Sequence, residues 1–160
     1  MIEKASVSIL RILVAGSSEL DRRLRMTSKV IHELRKRQVE HSFIVAGPSP
    51  DAFLRDSNPD QYFPELLPDE TARLILSCSL CLETSRDEPV TALAAICETA
   101  GMPVVVHASA LMPISSHRFI VNEYSADAFV DAIMRRPPWT AKPGSAGTIA
   151  NAASEAFPVD

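Results

Sequence analysis

No stretch of the sequence approaches the ~18 consecutive apolar residues that mark a membrane-spanning helix, so no membrane span is expected. Positive charge is not in excess either. Sixteen Lys and Arg stand against twenty Asp and Glu, for a net charge of -4, which argues against a general nucleic-acid binder. Cysteine is scarce, and three of them cannot all pair within one chain. The amino-terminal segment MIEKASVSILRILVAG has one Lys balanced by one Glu and runs into a strand-like stretch with no small-residue cleavage pattern. No signal peptide is expected from it, which leaves the cytoplasm as the default location. No internal repeat is visible. What is present is a globular composition, 46% hydrophobic and 22% charged over 160 residues, enough for one domain with a real core.

Cys78 and Cys81 form a C-x-x-C, a spacing used for redox or zinc chemistry. A redox pair needs an exposed thiol at a helix start. Here the pair lies in the apolar RLILSCSLCLE with no second Cys pair, and His32, His41, His107 and His117 are scattered. Buried structural cysteines are therefore expected, and no metal site. Seven of the sixteen basic residues fall between positions 19 and 37. They read either as a solvated helix face or, for the first of these Arg side chains, as a partner for an anion.

Strand-like and helix-like segments alternate. Apolar runs at Ile9–Ala15, Ser42–Ala46, Ser79–Glu83 and Pro103–His107 predict strands. Weaker ones are expected at Tyr62–Leu67, where Pro64 intervenes, and at Phe119–Asn122. Helices are expected over Glu19–Arg37 with Ser17 or Ser18 as cap, Asp51–Arg55, Pro68–Ser77, Pro89–Ala100, and Ser125–Arg135 with Ser125 as cap. Continuous rather than alternating apolar strands, each followed by a helix, predict an α/β fold: a three-layer Rossmann-like parallel sheet with helices on both faces. The domain is expected to span residues 1–136. Residues 137–160, rich in Pro, Ala, Gly and Ser, read as a mostly irregular tail with a helical turn at Thr148–Glu155.

Ligands of such sheets bind outside the carboxyl ends of the strands. That directs attention to Gly16–Arg23, Gly47–Phe53, Thr84–Leu93 and His107–Ile114. In the third segment, Ser85-Arg86-Asp87-Glu88 leaves a strand and enters a helix beginning Pro89-Val90-Thr91-Ala92. The free N–H groups of Val90, Thr91 and Ala92 then form an anion site suited to phosphate. Glu88 at its lip either accepts hydrogen bonds from sugar hydroxyls or simply complements the helix dipole. The same helix closes at Gly101-Met102-Pro103, where Gly101 supplies a left-handed cap and Pro103 prevents continuation.

The stretch from Ser85 through Glu88 to Gly101, Pro103, Val104 and Val105 resembles the donor-binding, C-terminal domain of retaining GT-B nucleotide-sugar glycosyltransferases of the group-1 type. In that family a P-S-x-x-E-G-F-G segment leads through a helix to Gly-x-Pro and Val-Val, and the interval from Glu88 to Gly101 fits without a gap. Asp69-Glu70 before a helix, Gly16 after the first strand, and the Gly47-Pro48 turn add to the likeness, and Arg22 falls where the family carries a Lys. The similarity covers about positions 11 to 135.

The resemblance implies a single GT-B half that binds a nucleoside diphosphate sugar as donor substrate, with no other cofactor. Arg22 and Glu88 would be the catalytic pair, with Arg22 on the diphosphate and Glu88 on the sugar hydroxyls. Gly16, Ser17, Gly47, Ser85 and the backbone of Val90, Thr91 and Ala92 would line the donor site. Stabilising the departing diphosphate would carry most of the catalysis. Several positions depart from the pattern. Ile96 stands where the family has a ribose-binding Glu, Ser17 replaces an Arg, and Pro89 and Thr91 replace glycines. No acid follows between Ala108 and Ile114. The acceptor domain of the family is not matched, so the chain is expected to act as a fragment or subunit, as a hexosyl-transferring enzyme only when completed by an acceptor-binding domain or partner. The expected partners are a nucleotide sugar and either a second Rossmann-like chain or another copy of this one. The alternatives are a catalytically inactive relative serving as a protein-interaction module and a flavodoxin-like receiver. Val14-Ala15-Gly16 and Val45-Ala46-Gly47 lack the strand-end acids that a receiver needs.

Overall fold

In a computed structural model, which describes residues 9–111, 118–136, 139 and 145–157, the apolar runs become the strands of one parallel sheet. They are β1 (Leu10–Ala15), β2 (His41–Ala46), β3 (Gln61–Phe63), β4 (Leu80–Glu83), β5 (Val104–His107) and β6 (Arg118–Val121), in the order β3-β2-β1-β4-β5-β6. The helices are α1 (Arg22–Lys36), α2 (Asp51–Ser57), α3 (Pro68–Ser77), α4 (Ala92–Thr99), α5 (Ala126–Met134) and α6 (Ser145–Ala156). The chain thus forms an open α/β Rossmann-like sheet with helices on both faces.

The alternation of side chains along each strand sorts the core into two halves. Ile12, Val14, Phe43, Val45, Leu80, Leu82 and Val105 face α1, α2 and α5, and meet Leu24, Ile31, Phe53, Phe129 and Ile133. Leu13, Ile44, Cys81, Val104 and Val106 face α3, α4 and α6, and meet Ile75, Ala94, Cys97, Ile149 and Ala153. Each large side chain sealed in this way contributes about 1.5–3 kcal/mol. All three cysteines are free and buried. Burial pushes the Cys78 thiol from 9.0 up to about 11. Cys81 is raised as well, first by its hydrogen bond with Cys97 and then by burial. Cys78 and Cys81 are thus held as neutral thiols.

Helix ends follow local chemistry. Gly101 closes α4 with φ 85°. Its N–H donates to Glu98 O and that of Met102 to Cys97 O, both at 3.0 Å, the paired bonds of a Schellman motif. Gln38 plays the same part after α1, at φ 58°, with Val39 N–H on Leu34 O at 3.0 Å.

Several expected boundaries move. The cap of α1 is Asp21, whose carboxylate accepts from Leu24 N–H at 2.9 Å, rather than Ser17 or Ser18. β3 stops at Phe63, because Pro64 has no N–H for the ladder. The helix expected from Pro89 starts at Ala92, capped by Thr91, while Pro89 forms an isolated parallel bridge with Leu111. Within the tail, the expected helical turn is a 12-residue helix, α6, packed against α3 and α4. Its small Ala and Ser side chains read as low complexity in sequence, yet they let helices approach closely around Ile149 and Ala153. Trp139 packs on the same half of the core.

Candidate functional site

The sheet reverses its winding direction between β1 and β4, and a crevice opens outside the carboxyl ends of strands at such a point. Gly16 follows β1 and Gly47 follows β2. Gly16 N–H donates to Ala46 O and Gly47 N–H to Phe63 O, each at 2.7 Å, which clamps the three strand ends together. A Cβ on Gly16 would overlap the Gly47 carbonyl oxygen and the Ser49 Oγ, and would lie 2.8 Å from the Gly47 carbonyl carbon. Gly47 takes φ 113°, a conformation that favours glycine.

Beside these turns lies an open hollow of about 490 Å3, within the ~300–1,000 Å3 range of small-ligand sites. Its walls are mainly apolar, formed by Ala15, Ala46, Pro48, Pro64, Leu66, Leu67, Leu93 and Phe157, with Glu65 as the acidic residue among them. Gly16, Gly47, Thr91 and Ala92 also line it.

The start of α4 differs from expectation in a way that matters for charge. Glu83, the last residue of β4, is almost completely buried, at 1% exposure. Its carboxylate accepts from Thr91 N–H at 2.8 Å, Thr91 Oγ1 at 2.6 Å and Ser85 Oγ at 2.6 Å. Val90 N–H is taken by Leu111 O at 3.2 Å. Two of the three amides expected to face an anion are therefore engaged within the chain, and Ser85 turns to Glu83. A protein carboxylate already sits where the helix dipole favours negative charge. Ile96 is buried in the core.

Arg22 opens α1 after β1 and Glu88 follows β4, so both stand beyond the carboxyl ends of neighbouring strands; neither lines the hollow. Both are exposed, and both bear on the Tyr124 hydroxyl. Burial first raises that phenol, Arg22 and then Arg86 oppose the rise, and Glu88 and Asp21 add to it. Tyr124 donates to Thr84 O at 2.7 Å. Its ring is met edge-on by His107 at 5.4 Å and by Phe129 at 5.8 Å between centroids. The Arg86 guanidinium lies 5.0 Å from the ring centroid. Ser17 is half-buried, with its Oγ accepting from Glu19 N–H at 3.4 Å.

Of the seven basic residues between 19 and 37, six are exposed. Arg23 is buried and donates to Ala15 O at 2.6 Å and Gly16 O at 3.1 Å, fixing the first turn from beneath. Among the described residues no group of three or more His, Cys, Asp or Glu is placed to hold a metal ion, and no helix is long and apolar enough to cross a membrane. Residues 112–117, part of the loop after β5 that was expected to bear on ligand, lie outside the described residues.

Glu83, Arg86 and Tyr124 were not among the expected site residues. The signal for Glu83 was an acid closing an apolar strand, with a Ser two residues on. Nothing in the local sequence ties Tyr124 to β4.

No protein-family model matches the sequence, and no curated protein matches it. Solved structures do. The chain is similar to the catalytic domain of cholesterol-alpha-glucosyltransferase from Helicobacter pylori, with TM-score 0.53 and 12% identity over 94% of this chain and 99% of that one. It is similar to WaaG, a glycosyltransferase involved in lipopolysaccharide biosynthesis, with TM-score 0.51 and 14% identity over 94% of this chain and 43% of that one. It also resembles the UDP-forming alpha,alpha-trehalose-phosphate synthase of Burkholderia vietnamiensis, with TM-score 0.50 and 11% identity over 94% of this chain and 40% of that one. The chain spans less than half the length of the latter two. These likenesses are of fold: the protein has the α/β architecture of a GT-B glycosyltransferase domain.

Proposed function

We propose that the chain is the donor-binding domain of a retaining GT-B glycosyltransferase of the group-1 type and takes a nucleoside diphosphate sugar at the carboxyl edge of its sheet. The observation that carries this reading is an apolar hollow lined by the turns after β1 and β2, with exposed Arg22 and Glu88 following β1 and β4 at the same carboxyl end of the sheet. A planar base suits walls made of proline, leucine and phenylalanine. Ribose hydroxyls need acceptors, and Glu65 is the carboxylate on that wall. The diphosphate needs cations, and Arg22 stands exposed in the first turn of α1, next to the Asp21 cap whose carboxylate is engaged by Leu24 N–H. Glu88 on the same edge is an acceptor for sugar hydroxyls. Acceptor contacts would come from a domain or chain facing this edge, where Leu20, Leu67 and Leu111 are exposed.

Isothermal titration calorimetry with UDP, ADP, GDP and their glucose conjugates tests the reading. At least one is expected to bind, with Arg22→Ala weakening it about tenfold or more, the scale of a lost charge-assisted hydrogen bond. Absence of binding across the panel refutes it.

A second reading has its own support. The Glu83 carboxylate at the α4 start suits a relative that has given up the anion site there and keeps the fold as a protein-interaction module. Failure of the whole panel, together with capture of a partner through the exposed leucines, would favour it.

A further inference from the structure

We infer that Arg86, laid across the Tyr124 ring, is the second cation of the diphosphate site and acts beside Arg22. This rests on the donor-binding reading above and assigns the positive groups within it. The start of α4 is the obvious rival, and Glu83 closes it. Its carboxylate holds Thr91 N–H and Thr91 Oγ1, and a phosphate brought there would meet a buried negative charge. The diphosphate must therefore draw its second positive group from elsewhere on the β4 side of the crevice.

Arg86 is that group. Its side chain is about half exposed, and its acidic neighbour Asp87 is 3.9 Å away, too far for a good ion-pair hydrogen bond. The guanidinium is held over the Tyr124 face, an arrangement that stabilises a cation while leaving its N–H edge open. The support beneath is fixed from several sides. Tyr124 is tied to Thr84 O and wedged between His107 and Phe129. His107 Nδ1 is 2.8 Å from Ser109 Oγ, which accepts from Asp87 N–H at 2.9 Å. Asp87 itself takes the left-handed conformation, φ 57°, so the turn that carries Arg86 is pinned to the end of β5. A guanidinium ordered in advance loses less freedom on gripping an anion. Across the crevice, Arg22 stands at the positive end of α1. Tyr124 is a positioning residue, acting through Arg86.

Calorimetry on the full chain tests this with UDP, ADP, GDP, inorganic pyrophosphate and the free nucleosides. For the tightest nucleoside diphosphate, Arg86→Ala is expected to weaken binding by about tenfold to a hundredfold, with the matching nucleoside changed by no more than about twofold. Tyr124→Phe keeps the ring and is expected to stay within about threefold of the parent, whereas Tyr124→Leu loses the ring and should approach Arg86→Ala. Circular dichroism confirms that each variant is folded. Glu83→Gln is expected to leave diphosphate affinity within about threefold. If Arg86→Ala binds like the parent while Arg22→Ala does not, the assignment of Arg86 falls and the donor-binding reading stands. A gain of about tenfold on Glu83→Gln would move the diphosphate to α4 and also overturn the assignment. If the parent binds none of the diphosphates, both fall together.

Discussion

Gly16→Ala puts one methyl group where the ends of β1 and β2 nearly touch. The added Cβ overlaps the Gly47 carbonyl oxygen and the Ser49 Oγ, with the Gly47 carbonyl carbon at 2.8 Å. Ser49 can swing aside, at the loss of its 3.2 Å hydrogen bond to Gly47 O, worth about 1 kcal/mol. The Gly47 backbone cannot move without parting the strands, since Gly16 N–H holds Ala46 O and Gly47 N–H holds Phe63 O. Forcing a methyl into such a place costs about 1–3 kcal/mol. The total is then about 2–4 kcal/mol, or a fall in Tm of roughly 4–16 °C for a chain of this size. A Cβ on Gly147, in α6, meets nothing within 4 Å, and Gly147→Ala should raise stability by up to about 1 kcal/mol through helix propensity. Melting both variants by circular dichroism, with urea titration alongside, gives the comparison. A Gly16→Ala chain that melts within about 2 °C of the parent would refute the close approach of the two turns, and with it the shape of the crevice.

Removing the buried carboxylate in Glu83→Ala leaves Ser85 Oγ, Thr91 Oγ1 and Thr91 N–H without their acceptor. At about 1–3 kcal/mol for each buried donor left unpaired, roughly 3 kcal/mol or more should be lost, seen as a Tm about 10 °C lower, and an unchanged melt would contradict the bonding described. The thiol of Cys78, raised from 9.0 to about 11, links stability to alkaline pH. The unfolded chain gives up this proton first, so stability from this group is intact below pH 9 and declines between pH 9 and about 11, by up to about 1.4 kcal/mol per unit. Urea titrations across that range should show the decline in the parent and a shallower one in Cys78→Ala; equal slopes would refute it. The purified 160-residue chain is expected to show no transfer of sugar to an acceptor in a product assay, and steady turnover would mean that acceptor contacts reside here after all.

The sheet was legible because its strands are continuous apolar runs, and Val104–Val106 after Gly101 and Pro103 shows this most clearly. Gly101 was predictable because a left-handed helix cap strongly favours one residue type. Arg22 and Glu88 were picked out because they follow β1 and β4, and the strand and helix positions that this rested on were readable from the apolar runs. The rest depends on contacts that local pattern does not encode. Glu83 looks like the polar end of a strand until the chain returns at Thr91, eight positions on, to meet it. Tyr124 reaches Thr84 across forty positions, from a loop with no distinguishing composition. α6 was expected only as a turn at Thr148–Glu155, short of its full length, because alanine and serine bury little area each, so its register is set by the helices it meets rather than by a strong apolar stripe of its own.

Phe157, just past α6, furnishes one wall of the hollow, and α6 is held by its contacts with α3 and α4. A recombinant version trimmed at Arg136, where the composition changes, would strip away that wall together with Ile149 and Ala153, and leave part of the sheet's second face bare. Binding measured on such a trimmed protein would describe a wider, greasier cleft than the one nature folds. Fusion tags are best kept away from the Phe157 end.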